Sequence, residues 1–266
     1  MAVFRSDPCG ILCMIITYLC VCYADYVVVK HLVIASMSDS LWGALNAFVF
    51  NIIIFLLVVS HLRAVFSDPG LVPLPRNRLD FSDMQEERGS KEEDGWTVCM
   101  KCETYRPPRA HHCRVCRRCV KKMDHHCPWI NNCVGEYNQK FFIQFLFYVG
   151  LSSLYAIALV IASFVIDSNS SSKNDESART KLVHSIVLII ECVLFGLFVI
   201  AIGCDQFQAI LSDETAVEHV KGQGRYRPKR PKISLLAEVF GRGSKWLWLC
   251  PFSFRPITVE VANYAV

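Results

Sequence analysis

The sequence predicts an all-α polytopic membrane protein: four transmembrane helices, with a cytosolic cysteine-rich domain carried between helices 2 and 3. Three observations lead there. Apolar residues make up 53% of the 266 residues while 20% are charged, and mean hydropathy is positive, so apolar and charged residues must be segregated along the chain. The apolar residues gather in four long runs separated by polar connectors. Seven of the 14 cysteines and four of the eight histidines fall within residues 99–133, between the second and third runs.

The first run covers residues 9–29, and about 20 apolar residues cross a hydrocarbon core of roughly 30 Å as a helix. No small-residue cleavage site follows it, so it reads as a retained span and not a removed signal peptide. Its cysteines, Cys9, Cys13, Cys20 and Cys22, have no metal-site partners nearby and pack as small apolar residues; Cys9, at the interface, is placed to carry a lipid itself. A link over residues 30–40 leads to the second run, 41–65, where Asn46 and Asn51 are expected to hydrogen-bond between helices. Ser67-Asp68-Pro69-Gly70 ends that helix by turn chemistry, and residues 80–95 are acidic and read as solvated. The third run is 141–166. Residues 167–181 read as an exposed loop, and the fourth run is 182–203, with Glu191 expected to face the bundle. The chain thus divides into helices 1 and 2 (1–66), a cytosolic linker (67–98), the cysteine-rich domain (99–140), helices 3 and 4 (141–204) and a cytosolic tail (205–266).

Lys and Arg placement sets the expected orientation. Residues 76–140 hold 13 of them and residues 221–255 hold nine, against one in the 30–40 link and three in the 167–181 loop. The cysteine-rich domain and both termini are therefore expected in the cytosol. Asn169-Ser170-Ser171 matches a glycosylation sequon on the lumenal side.

The cytosol is reducing, so clustered cysteines there point to metal, not disulfides. Cys99-x2-Cys102, Cys113-x2-Cys116 and Cys116-x2-Cys119 each let two thiolates of one tight turn bind the same tetrahedral zinc. Six cysteines, leaving out Cys127, and two histidines give eight ligands, enough for two closed Cys3His sites, which would supply folding energy to a segment with few apolar residues. Cys127 is the odd thiol, in Asp124-His125-His126-Cys127. A thiolate is the nucleophile, an imidazole beside it holds the proton, and an acid beside the imidazole fixes its tautomer. Acid, base and nucleophile within four residues make a compact candidate site; the other reading of Cys127 is a spare ninth ligand.

The order Cys99-x2-Cys102-x9-His112-Cys113-x2-Cys116-x2-Cys119-x4-Asp124-His125-His126-Cys127-x5-Cys133-x4-Asn138-x3-Phe142 resembles the cysteine-rich domain of the DHHC protein S-acyltransferases (palmitoyltransferases). Four spans and Asp68-Pro69-Gly70 after the second are similar to that family too, so the resemblance covers nearly the whole chain, closest to its short, Golgi-type members. It implies acyl transfer from a long-chain acyl-CoA, palmitoyl-CoA above all, to Cys127 and then to cysteines of membrane-associated substrate proteins, with His125 as base and Asp124 polarising it. It implies one zinc on Cys99, Cys102, His112 and Cys119 and another on Cys113, Cys116, His126 and Cys133. Arg106, Arg109 and His111 would face the CoA phosphates, and Trp129 would roof an acyl-chain cavity lined by residues such as Phe145 and Tyr155.

The tail departs from the family pattern. Thr-Thr-x-Glu is replaced by Thr215-Ala216-Val217-Glu218, so position 216 lacks the hydroxyl that supports the catalytic Asp. A catalytically inactive member acting as a membrane zinc scaffold or chaperone is the alternative this leaves. Leu236, Val239 and Phe240 on one helical face, with Trp246-Leu247-Trp248 following, read as an interfacial amphipathic helix on the lipid bilayer. The final Tyr264-Ala265-Val266 is compatible with a PDZ partner. A ubiquitin-ligase-type zinc scaffold would have no use for a nucleophile. No nucleic acid is expected despite Arg114, Arg117, Arg118, Lys121 and Lys122, because stacking aromatics are missing.

Overall fold

The computed structural model describes residues 4, 6–38, 40–74, 95–168, 175–223 and 227–252. The expectations for the acidic stretch 80–94, the Asn169 sequon and Tyr264-Ala265-Val266 lie outside the described residues.

Among the described residues, four helices are long and apolar enough to cross a membrane: Pro8–Met37, Leu41–Phe66, Gln139–Ser168 and Asp175–Ser212. The first is α1 (Pro8–Tyr26), continued by a π-helical stretch, Val27–Ile34, and by α2 (Ala35–Met37). The expected link at 30–40 is therefore mostly helix. Nothing in Val27–Ile34 breaks a helix, and burial of Val27, Val28, Leu32 and Val33 sustains it. The second is α3 (Leu41–Phe66) and the third α4 (Gln139–Ser168). The fourth, α5 (Asp175–Ser212), starts seven residues before the apolar run. Asp175 and Glu176 in its first turn suit the positive end of the helix dipole, which is why part of the expected loop is helical.

The chain forms two compact units. One comprises Met14–His61 and Ile143–Gln206. Its core is Val27, Val28, Leu32, Phe50, Leu159, Val160 and Leu188, all buried. Some of the polar groups inside it are paired with one another, which lowers the cost of their burial. Tyr155 Oη donates to Asn46 Oδ1 (2.7 Å), and Lys181 Nζ donates to Asp167 Oδ2 and Ser36 Oγ (both 2.8 Å). Glu191 hydrogen-bonds Cys20.

The other unit comprises Met1–Cys13, Leu62–Phe142 and Phe207–Val266. Its cysteine-rich part is not helical. It consists of three antiparallel hairpins: β1 (Thr97–Cys99) with β2 (Thr104–Arg106), β3 (His111–Cys113) with β4 (Arg118–Val120), and β5 (His125–Cys127) with β6 (Asn132–Val134). Asp68 Oδ1 accepts from the N–H groups of Gly70 and Leu71 (2.8 and 2.7 Å), turning the chain after α3 so that Val72 N–H reaches Cys119 O (2.9 Å). Two short tail helices follow α5: α6 (Ala216–Lys221) and α7 (Lys232–Phe240), then a 3-10 turn, Lys245–Trp248. In α7 the buried side chains are Leu235 and Phe240, and Leu236 and Val239 are half-buried. Lys140 Nζ holds this end of the tail through the carbonyls of Phe240 (3.2 Å) and Leu247 (3.0 Å).

The third hairpin is fastened to the end of α3. Asn132 Nδ2 donates to the carbonyls of Ala64, Val65 and Ser67 at 3.0–3.2 Å, and Asn138 Nδ2 donates to Ala64 O and Cys133 O (3.3 and 2.8 Å). The carbonyls of Ala64, Val65 and Ser67 lie at or beyond the last turn of the helix, where the chain itself offers few donors. Asn132→Ala should therefore lower stability by about 1–3 kcal/mol, read as a reduced thermal midpoint of the purified protein in detergent; an unchanged midpoint contradicts this.

Candidate active site

Among the described residues, two groups of side chains are gathered closely enough to hold a metal ion: Cys99, Cys102, His112 and Cys119, and Cys113, Cys116, His126 and Cys133. In the first, His112 Nδ1 lies 3.6, 3.2 and 3.9 Å from the sulfurs of Cys99, Cys102 and Cys119. In the second, Cys116 Sγ is 3.4 Å from both His126 Nδ1 and Cys133 Sγ, and Cys133 Sγ is 3.7 Å from His126 Nδ1. Metal–sulfur and metal–nitrogen bonds of about 2.3 and 2.0 Å at tetrahedral angles give ligand separations near these values.

Hairpin register explains the two sets. Each group takes two cysteines from the turn of one hairpin and a cross-strand pair from the next. Cys99 and Cys102 close the first hairpin, and His112 and Cys119 face each other across the second. Cys113 and Cys116 close the second, and His126 and Cys133 face each other across the third. The residue after each turn, Glu103 and Arg117, has positive φ (49° and 52°), so both turns have one local geometry.

Side chains alternate along a strand. With His126 turned to its metal group, His125 and Cys127 share the opposite face of β5. His125 Nδ1 donates to Asp124 Oδ2 (2.8 Å), leaving Nε2 for Cys127, to which His125 is hydrogen-bonded. Burial opposes charge on the His125 ring, but its bonds to Asp124 and Cys127 outweigh burial and raise its pKa to about 9. Phe142 meets the ring edge-on at 5.5 Å. Asp124 is 2% exposed and Cys127 6%, so the candidate acid and the candidate nucleophile are both shielded from bulk water.

The other oxygen of Asp124 is also occupied. Ala216 N–H donates to Asp124 Oδ1 at 2.7 Å. The missing hydroxyl at 216 does not leave the acid unsupported, because a backbone donor at the start of α6 takes the place. Thr215 and Glu218 form a reciprocal capping box that sets this helix start, and the Thr-x-x-Glu spacing was a legible signal for it. Glu218 is buried, which would raise its pKa, but hydrogen bonds from Arg227 and Arg109 hold it down at about 2.

Arg109 has partners within the chain: its guanidinium pairs with Glu218 (2.8 Å) and Asp213 (2.8 Å). Asp213 also pairs with Arg230, and Glu238 with Arg230 and Lys122, partners that no short motif announces. Arg106 Nε donates to Thr97 Oγ1 (2.7 Å). His111 is buried, with Lys221 Nζ donating to its Nδ1 (3.1 Å) and no partner for Nε2 among the described residues. Trp129 is half-buried in the 3-10 turn Pro128–Ile130, directly after Cys127.

A buried cysteine hydrogen-bonded to its own histidine and acid, on hairpins that gather metal ligands, is an arrangement suited to covalent thiol chemistry. The family model for DHHC palmitoyltransferase matches residues 92–223. Palmitoyltransferase ZDHHC3 of Rattus norvegicus and of Homo sapiens are each 38% identical over 254 residues, covering 94% of this chain and 83% of the relative. Probable protein S-acyltransferase 12 of Arabidopsis thaliana is 36% identical over 215 residues, 79% of this chain and 73% of the relative. The chain belongs to the DHHC palmitoyltransferase family.

Ala216→Pro tests the bond to Asp124. Position 216 is the first of its helix, where proline is tolerated, and Thr215 already has the extended backbone (φ −74°, ψ 160°) that precedes proline. The substitution removes the N–H and places the ring Cδ where the hydrogen pointed, so Asp124 Oδ1 loses its donor and is pushed away from position 216. A charge-assisted bond of about 1.5–3 kcal/mol corresponds to a roughly ten- to hundredfold slower formation of the acyl-enzyme, whereas Ala216→Ser should stay near wild type; equal rates in the two variants contradict the assignment.

Proposed function

We propose that the chain is a protein S-acyltransferase that loads a long-chain acyl group, palmitoyl above all, from acyl-CoA onto Cys127 and passes it to cysteines of membrane-associated proteins. The observation that carries this is the division of the seven cysteines in residues 99–133: six lie in the two metal groups, and Cys127 alone is hydrogen-bonded to the His125–Asp124 pair. In the first step Cys127 Sγ attacks the thioester carbonyl carbon while His125 takes its proton, and the CoA sulfur leaves with that proton. In the second, a substrate thiol attacks the same carbon, its proton passes to His125, and Cys127 is restored. One thioester replaces another, so the residues need only position and activate thiols.

Zinc in both groups would act structurally, closing hairpins too short to hold by themselves. Asp124 would keep His125 oriented and offset its charge each time it is protonated. Arg106 and Lys221 have no carboxylate partner among the described residues, which leaves them, with His111 between, to face the CoA phosphates. An ammonium can only donate, so Lys221 holds the His111 proton on Nε2, where it is a donor for an anion.

The membrane helices would take the acyl chain, each buried methylene contributing about 0.8 kcal/mol. Trp246, 86% exposed, and Leu247 suit insertion at the cytosolic surface of the Golgi membrane, with the hairpins on that side. The doubt raised by Ala216 is answered by its backbone N–H, so the inactive reading has no observation in its favour.

Purified protein incubated with labelled palmitoyl-CoA should acquire a hydroxylamine-labile label. Cys127→Ser should lose it while retaining the zinc content of the wild type. A folded wild type without label would overturn the proposal.

A further inference from the structure

The start of α1 brings a second pair of thiols to the catalytic hairpin. Gly10 lies against Asn131, four residues beyond Cys127, so closely that a Cβ on it would be 2.3 Å from Asn131 Oδ1. Only glycine permits that approach. Asp7 Oδ2 accepts from Gly10 N–H (2.9 Å), fixing the helix start at this point. Cys9 and Cys13, four residues apart, share one face of the helix, and their thiols are hydrogen-bonded to each other. Cys127 is near enough to act electrostatically on Cys13. Cys20 and Cys22 are about 10 Å or more further along the helix. The packing of α1 thus sets one specific thiol pair, and not cysteines in general, beside the nucleophile.

We propose that Cys13 is an internal acyl acceptor: the acyl group on Cys127 passes within the same molecule to the Cys13 thiol, and from there to its neighbour Cys9, giving α1 its own S-linked chain. This rests on the S-acyltransferase reading. Cys13 Sγ attacks the thioester carbonyl carbon on Cys127; the bond from that carbon to Cys13 forms as the bond to Cys127 breaks. The proton lost by Cys13 passes through His125 to the departing Cys127 thiolate. No electrons are exchanged with a redox partner, and acyl-CoA is the only reagent consumed. The exchange is nearly isoenergetic in its bonds, so holding the two sulfurs together decides whether it occurs. A chain on Cys9 or Cys13 starts at the end of a membrane-spanning helix and enters lipid directly.

Peptide mass spectrometry after incubation with palmitoyl-CoA tests this, with palmitate located separately on the fragment holding Cys9 and Cys13 and on the fragment holding Cys127. Wild type should carry hydroxylamine-labile palmitate on both. Cys127→Ser should carry at least ~10-fold less on the Cys9/Cys13 fragment, and should stay unlabelled there when mixed with wild type. The Cys9→Ser/Cys13→Ser double variant should keep its label on Cys127. Palmitate on Cys127 with none on Cys9 or Cys13 overturns the internal acceptor and leaves the S-acyltransferase reading intact. Equal labelling of Cys9 and Cys13 in Cys127→Ser shows spontaneous acylation and also overturns it, and labelling of that variant by added wild type overturns transfer within one molecule. No palmitate at any of the three cysteines overturns both proposals.

Discussion

Adjacent residues on an extended strand cannot face the same side, and the site depends on that constraint. In β5 the metal group claims His126 through its cross-strand partner Cys133. His125 and Cys127 are thereby forced onto the other face together, where Asp124 receives the imidazole. The same alternation in β3 sends His112 to one metal group and Cys113 to the other. One three-residue strand is thus shared by both groups, and the cross-strand pairs of the second and third hairpins each meet the turn cysteines of the hairpin before.

This scaffold is joined to the rest of its unit at two places that matter for the chemistry. Asn132 and Asn138 hold the third hairpin to the end of α3. Asp124 accepts its second bond from the first residue of α6. Behind that bond, Arg109 and Arg227 converge on Glu218. A buried ion pair adds little net stability compared with apolar packing, but removing one partner is costly, about 3–5 kcal/mol. Its effect here is to specify where α6 begins, and so where the Ala216 N–H points.

Spacing alone made the membrane helices and the count of eight ligands legible, because both follow from chain geometry over short distances. The partition of those ligands followed from family resemblance, and the hairpin register supplies its physical reason. Helix ends were misplaced where burial, as in Val27–Ile34, or terminal carboxylates, as at Asp175, prolonged a helix past the apolar run. Three features were not legible. The Ala216 bond uses a backbone group that every residue but proline carries, so side-chain identity misled. The pairing of Arg109 with Asp213 and Glu218 joins positions more than 100 residues apart. The approach of α1 to Asn131 rests on the absence of a side chain at Gly10.

Metal content of two neighbouring variants tests the division of β5 most directly. Purified wild type and His125→Ala should each hold two zinc ions per chain, while His126→Ala should hold one or none. Loss of an ion in His125→Ala, or retention of both in His126→Ala, would contradict the assignment of one face to metal and the other to chemistry.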